Sequence, residues 1–381
     1  MRILVLANVP PDAVGGAEVQ AWQLARHWAG AGHEVTVAGY ANLPRLEAGV
    51  SVVRIATWRA SRVTRAASYA LSTARLLWRR RRSVDLVYCR FLGEHALVAS
   101  AARFAGVLKA PVVACPACAS AQGDVAILRR SPLFALMRAL LMRGLTGVNA
   151  ISTRIADEVG GLGFPARSVA RIPNGVDVPD DLPTRPPGEV LKLLFVGRLV
   201  HQKGVDVLLE ALARLPESGS GLELRIVGDG PLRAELTALA ARLRLSQRVR
   251  FDGGLPPESM ARAYREADAL VLPSRYEGMP GVVLEAIAQG LPVVATEVSG
   301  SEDIVEPGVG WVVPPDDPEA LTRALSEAIA AGPDGLRRKG RAAHRLALER
   351  YHMARVAQQN LDWFEALLAR PRQLGTGDPG Q

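Results

Sequence analysis

The chain has 381 residues, 49% of them hydrophobic and 22% charged, and a formal net charge of +8. That length supplies two or three domains with sizeable cores, and the composition of an ordinary globular chain excludes a collagenous or low-complexity protein. The charge is uneven: residues 1–178 hold 22 Lys plus Arg against 10 Asp plus Glu, a net +12, which leaves −4 for residues 179–381.

The opening Met-Arg-Ile-Leu-Val-Leu-Ala is too short for a signal peptide and runs into Pro10-Pro11, so it reads as a first strand. No apolar run reaches the roughly 18 residues of a spanning helix. Strand candidates follow at Glu34–Ala38, Ser51–Ile55, Asp85–Cys89, Pro111–Ala114, Gly147–Ile151 and Ala170–Ile172, with helices between them, one from about Ala17 to Gly30 closed by Gly32. Much of the positive charge is Arg59, Arg62, Arg65, Arg75, Arg79–Arg82, Arg129, Arg130, Arg138 and Arg143, set among Tyr69, Leu71, Leu76, Leu77, Trp78, Leu133, Phe134, Leu136 and Leu140. These read as basic amphipathic helices that can lie on an anionic membrane surface, or as solvated faces of a chain with only four lysines. No recognised nucleic-acid motif accompanies the charge, so no nucleic-acid partner is expected.

Asp177-Val-Pro-Asp-Asp-Leu-Pro-Thr-Arg-Pro-Pro-Gly188, with four prolines, is the natural linker. A second strand–helix series has strands at Leu191–Phe195, Leu222–Val227, Val249–Phe251, Ala269–Leu272, Pro292–Ala295 and Gly310–Val313. A last helix runs from about Glu349 to Leu368, and the tail after it reads as disordered. The expected division is therefore a first domain over 1–178, a second over 179–348, a C-terminal helix over 349–368 that packs back toward the first domain, and a tail over 369–381. Cys115-Pro-Ala-Cys118 looks like a redox or metal pair, but nothing completes a zinc tetrad, and three cysteines in all suit reduced, partly buried thiols in a cytoplasmic protein.

The densest signal is Pro273-Ser-Arg-Tyr-Glu-Gly-Met-Pro-Gly-Val-Val-Leu-Glu285, followed by Ala-Ile-Ala-Gln-Gly-Leu-Pro-Val-Val-Ala-Thr296. It sets Glu277 and Glu285 eight residues apart across a glycine-rich turn between two apolar segments. The helix expected over Val282–Gln289, stopped by Gly290, offers free N–H groups and the positive end of its dipole to a phosphate. The two carboxylates can accept hydrogen bonds from sugar hydroxyls.

This segment resembles the retaining GT-B glycosyltransferases of family 4, the group 1 glycosyltransferases. Further matches occur in family order at Gly15-Gly-Ala-Glu18, Ile172-Pro-Asn-Gly-Val-Asp177, Phe195-Val-Gly-Arg-Leu199 with Lys203-Gly204, and Val227-Gly-Asp-Gly-Pro231. The resemblance covers roughly residues 1–365. It implies an α/β GT-B fold, two Rossmann-like, doubly wound domains facing one another across a cleft, with ligands at the carboxyl ends of the strands. It implies that Arg198 and Lys203 neutralise a donor diphosphate, that Glu285 binds the nucleotide ribose, and that Glu277 faces the transferred sugar. Gly278, Met279, Pro280 and Gly281 would form the phosphate turn, which lacks an N–H only at Pro280. Gly15 and Gly16 would approach the phosphates from the first domain, and Gly228 and Gly230 would lie beside the nucleobase or form an ordinary turn.

One departure stands out. The histidine usual in the family's first domain, after the strand matching Pro111–Ala114, is missing from Cys115-Pro-Ala-Cys-Ala-Ser-Ala-Gln-Gly-Asp-Val125. Asp124 is the nearest ionisable candidate and is expected either to orient or deprotonate the acceptor hydroxyl or to cap the loop. Arg90 and Glu94 lie on the preceding loop, and His95 is expected to be packed. The implied activity is metal-independent, retaining transfer of a sugar from a nucleotide-diphosphate donor, with no cofactor, to a saccharide or lipid-linked acceptor of the cell envelope or of a polysaccharide. The enzyme would be cytoplasmic, peripheral on the inner face of the membrane if the basic helices dock. The alternatives are a nucleotide-sugar epimerase of the same fold and a non-catalytic nucleotide-sugar-binding protein.

Overall fold

The structure, a computed structural model, describes residues 1–8, 15–39, 46–47, 49–58, 61–182, 190–215 and 221–369. Pro10, Pro11, Arg59, the 183–188 part of the expected linker and the tail from 370 lie outside the described residues.

The first half runs β1 (Arg2–Leu6), α1 (Gly16–Gly30), β2 (Glu34–Gly39), β3 (Leu46–Glu47), β4 (Val50–Arg54), α2 (Arg62–Arg80), β5 (Leu86–Arg90), α3 (Glu94–Phe104), β6 (Val112–Cys115), α4 (Asp124–Arg129), α5 (Phe134–Gly144), β7 (Gly147–Asn149), α6 (Thr153–Gly160) and β8 (Val169–Ala170). Its strands lie in the order β3-β4-β2-β1-β5-β6-β7-β8, parallel except for the β3 edge. The central strands are continuous apolar runs, with Ile3–Leu6 and Leu86–Cys89 fully buried, because helices cover both faces of the sheet.

The second half runs β9 (Val190–Val196), α7 (Val205–Ala213), β10 (Gly221–Val227), α8 (Arg233–Arg242), β11 (Val249–Gly253), α9 (Pro257–Glu266), β12 (Ala269–Leu272), α10 (Gly281–Ala288), β13 (Val293–Thr296), α11 (Ser301–Ile304), β14 (Gly310–Val313), α12 (Pro318–Leu346) and α13 (Met353–Ala369). Its sheet is wholly parallel in the order β11-β10-β9-β12-β13-β14. From β9 the chain winds outward through β10 and β11, then returns to pair β12 on the other side of β9. The segments leaving β9 and β12 therefore diverge, and the crevice between them is where such a sheet receives a ligand.

Local chemistry moves several boundaries from where the sequence places them. β8 stops at Ala170 rather than Ile172 because the Asn149 side-chain oxygen takes the Ile172 N–H at 2.9 Å. The last helix starts at Met353 rather than Glu349. Ala347–Tyr351 form a π turn, and the chain then pairs with the outgoing strand of the interdomain crossing: Val176 N–H donates to Tyr351 O at 2.8 Å and Met353 N–H to Val176 O at 2.9 Å. α13 then packs on α1. Trp28 donates its indole N–H to Ala357 O at 3.2 Å and meets Phe364 edge-on, ring centres 5.3 Å apart.

The basic helix α2 also differs from its sequence reading. Tyr69 and Leu77 are fully buried and Leu76 is partly buried, so they serve the core. The residues α2 exposes include Arg65, Leu71, Arg75, Trp78 and Arg79.

Candidate functional site

The site grows from the carboxyl end of β12. Leaving Leu272, the chain turns through Pro273-Ser274-Arg275-Tyr276, and Glu277 points back toward β9, its side chain 9% exposed. Its Oε1 accepts from Lys203 Nζ at 2.5 Å and from Ser274 Oγ at 2.7 Å. Lys203 ends the short 3-10 turn His201–Lys203 after β9, and Gly204 follows it with φ +62 before α7 begins. Topology thus joins two residues 74 positions apart, because their strands are neighbours at the switch point.

Arg275 secures this junction. It is 12% exposed and binds Asp206 through two nitrogens at 2.7 and 3.0 Å, Asp316 at 2.6 Å and the His201 carbonyl at 2.6 Å. Gln202 donates to Tyr276 O at 2.9 Å while Arg275 N–H donates to Gln202 O at 2.8 Å. Burial alone would raise the Asp206 carboxyl, but the Arg275 guanidinium overrides it and holds that carboxyl below the usual range.

Arg198, on the turn directly after β9, is exposed and has no side-chain partner among the described residues. Its turn is held against the next: Gly197 N–H donates to Val227 O at 3.0 Å and Leu199 N–H to Asp229 O at 2.9 Å. Gly228 has φ +136, and a Cβ there would collide with the Gly197 carbonyl, as one on Gly230 would with Leu199 O. These glycines let two turns touch, which places the Arg198 backbone.

The turn expected to take phosphates lies between Glu277 and α10. The N–H groups of Gly278, Met279, Gly281 and Val282 donate to no protein acceptor among the described residues, and Pro280 has none to give. Glu285 stands in the second turn of α10 and is exposed, while Tyr264 of α9 donates its hydroxyl to Glu285 Oε2 at 2.6 Å. The surrounding protein raises the Glu285 carboxyl, and the hydrogen bond from Tyr264 opposes that rise.

The first domain closes over this turn. Ala119 N–H donates to Glu277 O at 3.3 Å, Cys118 Sγ lies 3.6 Å from the same oxygen, and a Cβ on Gly278 would strike the Ala117 carbonyl. Asn174, on the crossing between domains, donates to Met279 O at 3.2 Å. Ser152 meets Ser299 at 2.7 Å, and Ser299 donates to Gly278 O at 2.9 Å. Gly15 caps α1 in an extended conformation, and nothing lies within 4 Å of a Cβ on Gly16, so this glycine edge is open.

Asp124 is engaged by backbone. Its Oδ1 accepts from Leu92 N–H at 2.9 Å and its Oδ2 from Ala117 and Cys118 N–H at 2.9 and 3.2 Å. Of the two roles open to it in sequence, this geometry is that of a loop clamp, which shapes the segment seated on Glu277. Arg90 is 1% exposed, donating to Cys115 Sγ at 2.9 Å and Asn174 Oδ1 at 3.4 Å, and so braces the first domain rather than facing an acceptor. His95 is buried beside the Tyr69 hydroxyl, and burial pushes its pKa down to about 4. The three cysteines are free; burial, with Glu277 and Asp124 nearby, pushes the Cys118 thiol up to about 12.

Four contributors escaped the sequence reading. Ser274, Arg275 and Asn174 stand inside the quoted motifs, but nothing in one sequence marks their side chains as partners. Tyr264 lies 21 residues before Glu285, and only the packing of α9 beside α10 connects them. Among the described residues no group of three or more His, Cys, Asp or Glu side chains is placed to hold a metal ion.

Models of two families match the chain: Glycosyltransferase Family 4 over residues 14–179, and Glycosyl transferases group 1 over residues 183–345. The 2-deoxystreptamine N-acetyl-D-glucosaminyltransferase of Streptomyces fradiae is 31% identical over 389 residues, which covers 90% of this chain and 92% of that protein. The putative colanic acid biosynthesis glycosyltransferase WcaL of Salmonella typhimurium is 33% identical over 186 residues, 46% of each chain, so the chain spans about half the length of that relative. Among solved structures, Anabaena HepE in complex with UDP superposes with a TM-score of 0.75 at 22% identity, covering 96% of this chain and 100% of that one. This likeness establishes the two-domain α/β GT-B fold.

Proposed function

The chain belongs to the group 1 glycosyltransferases, and from that premise we propose that it transfers a sugar from a nucleotide-diphosphate donor to an acceptor hydroxyl, with retention and without a metal ion. The observation that carries this reading is the cluster at the switch point of the second sheet. Lys203, Glu277 and Ser274 are bonded together there, and Arg198 stands nearby with no partner among the described residues. Between Glu277 and Glu285 lie the four amides without protein acceptors among those residues. In the proposed reaction the bond from the anomeric carbon to the diphosphate oxygen breaks and its electron pair goes to the diphosphate. The acceptor oxygen forms the new bond on the same face and passes its proton to the departing phosphate. Arg198, Lys203 and the free amides meet the charge that develops, which is the role a metal ion would otherwise fill. Glu277 accepts from the sugar and Glu285 from the ribose.

HepE binds UDP, which supports a uridine diphosphate sugar as the first donor to test. Acceptor readings differ. The colanic acid relative and the basic first domain support a cell-envelope or lipid-linked saccharide, with the enzyme peripheral on the inner face of the membrane. The relative matched over nearly its whole length is named for an aminocyclitol acceptor, which supports a soluble amino-bearing one.

The test is incubation with UDP, GDP and ADP sugars, with and without acceptors of both kinds, in EDTA. Diphosphate release that depends on acceptor, with an anomeric product of the donor's configuration, is the expected result. Epimer formed without acceptor points to an epimerase, binding without turnover to a non-catalytic protein, and strict dependence on magnesium overturns the metal-free mechanism.

A further inference from the structure

Glu285 is a flexible side chain that must present one oxygen to a ligand, and one hydrogen bond among the described residues holds it. Tyr264 is 2% exposed, its ring fixed in the core under α9, and its hydroxyl reaches Glu285 Oε2 at 2.6 Å. Oε1 has no protein partner among the described residues, and the residue is exposed. A buried tyrosine hydroxyl takes a hydrogen-bond partner, and here the partner stands at the edge of the site.

We propose that Tyr264 is a positioning residue for nucleotide binding: by holding Oε2 of Glu285 it presents Oε1 to the ribose hydroxyls of the donor. The proposal rests on the reading of Glu285 as the ribose-binding carboxylate. It follows from preorganisation, since a glutamate already ordered loses less freedom when the ligand arrives.

A second consequence concerns protonation. The protein packed around Glu285 raises its carboxyl, and the Tyr264 hydroxyl, by donating to the ionised form, works against that rise. Glu285 is the one titratable side chain of α10. On α9, Arg262 pairs with Glu266 and Arg265 is exposed. Toward β12, Lys203 and Glu277 pair with each other, and on α11 Glu302 and Asp303 bond Arg154 and Thr153. On α12 Lys339 donates to Pro307 O, and in the π turn Arg350 pairs with Glu306. Tyr264 is thus the titratable group that acts on Glu285. Without its hydroxyl the carboxyl rises further, so protonation removes the acceptor at a higher pH.

The experiment is calorimetry of UDP binding from about pH 5 to 8, with GDP and ADP alongside so that the base does not decide the outcome, on wild type, Tyr264→Phe, Glu285→Gln and the double variant. Steady-state kinetics accompany it. Tyr264→Phe keeps the ring and should weaken binding and raise donor KM by about tenfold, the worth of one hydrogen bond to a charged group, with kcat held within about twofold. The acid limb of its binding profile should move to higher pH. In the Glu285→Gln background the same substitution should have little further effect; an equal loss there means that Tyr264 only supports the fold, and the proposal falls. It falls too if the Tyr264→Phe profile superimposes on that of wild type while Glu285→Gln weakens binding. If Glu285→Gln leaves affinity unchanged, the ribose reading itself is wrong.

Discussion

Lys203 and Glu277 each carry a role that the resemblance implied separately, and the structure bonds them to one another at 2.5 Å. Lys203 is thus paired with the carboxylate beside it, while Arg198 is an exposed cation without a partner among the described residues. A diphosphate arriving at the turn would compete with Glu277 for Lys203 and free the carboxylate for a sugar hydroxyl. Replacing either cation with alanine should lower turnover by at least about 10²-fold, since one preorganised donor at developing charge is worth roughly 3–4 kcal/mol. The glutamates should separate: Glu285→Ala weakens affinity for the bare nucleotide diphosphate, whereas Glu277→Ala mainly slows transfer. Calorimetry beside single-turnover rates checks both, and equal losses in the two variants reject the division of labour. The charged groups proposed for the site were legible as candidates because they sit in dense motifs. The pairing was not, since it depends on which strands become neighbours.

At the scale of elements, the site is a meeting of turns, each short enough that its backbone is held by its neighbours. The turn from Gly278 to Gly281 is pressed between Ala117 O and Ser299, and Gly278 is its tightest point. Gly278→Ala would push a Cβ into a carbonyl that Asp124 and the Ala119–Glu277 bond hold in place, so the first-domain loop must lift. We expect transfer to fall by more than about tenfold while the second domain keeps its nucleotide affinity, a split that kinetics beside calorimetry measures. Asp206 and Arg275 set the other side. The folded Asp206 carboxyl lies below its unfolded value, so its contribution to stability is present above the ordinary carboxylate range and is lost as pH falls through the folded value. Substituting Asp206→Asn should therefore flatten the fall of melting temperature between about pH 5 and 3, and an unchanged slope means the pair is not stabilising. Strands and helices of this kind were readable from apolar periodicity. The π turn was not; it runs directly into the bridge between His352 and Val176, a pairing of residues distant in sequence.

The whole molecule separates its basic surfaces. Arg79–Arg82 span the end of α2 just before β5, at the amino edge of the first sheet and opposite the cleft. Nearer the cleft, where α4 ends and α5 begins, Arg129 and Arg130 lie among Ile127, Leu133 and Leu136, each of these three more than half exposed. Both can approach an anionic surface, but only the second would bring the cleft mouth to it. Replacing Arg129 and Arg130 with glutamine should lower sedimentation with anionic vesicles and activity on a lipid-linked acceptor, and leave a soluble acceptor unaffected. Replacing Arg79–Arg82 should lower sedimentation alone, the more so at low salt, where each arginine contributes about 1 kcal/mol. A wild-type protein that ignores anionic vesicles even at low ionic strength would make these helices solvated faces and favour a soluble acceptor. No helix among the described residues is long and apolar enough to cross a membrane.

The sequence by itself determined the family and the two strand–helix series, and it singled out Glu277, Glu285, Lys203 and Arg198 as candidates, because these are written in contiguous segments whose residue types have few other uses. Packing decided the rest. That β12 returns beside β9 brings Lys203 to Glu277, that α9 lies beside α10 brings Tyr264 to Glu285, and that the β6 loop meets the phosphate turn makes Asp124 a clamp. Each of these contacts joins side chains through space across strands, helices or domains, and local residue pattern carries no record of which distant neighbour a side chain will meet.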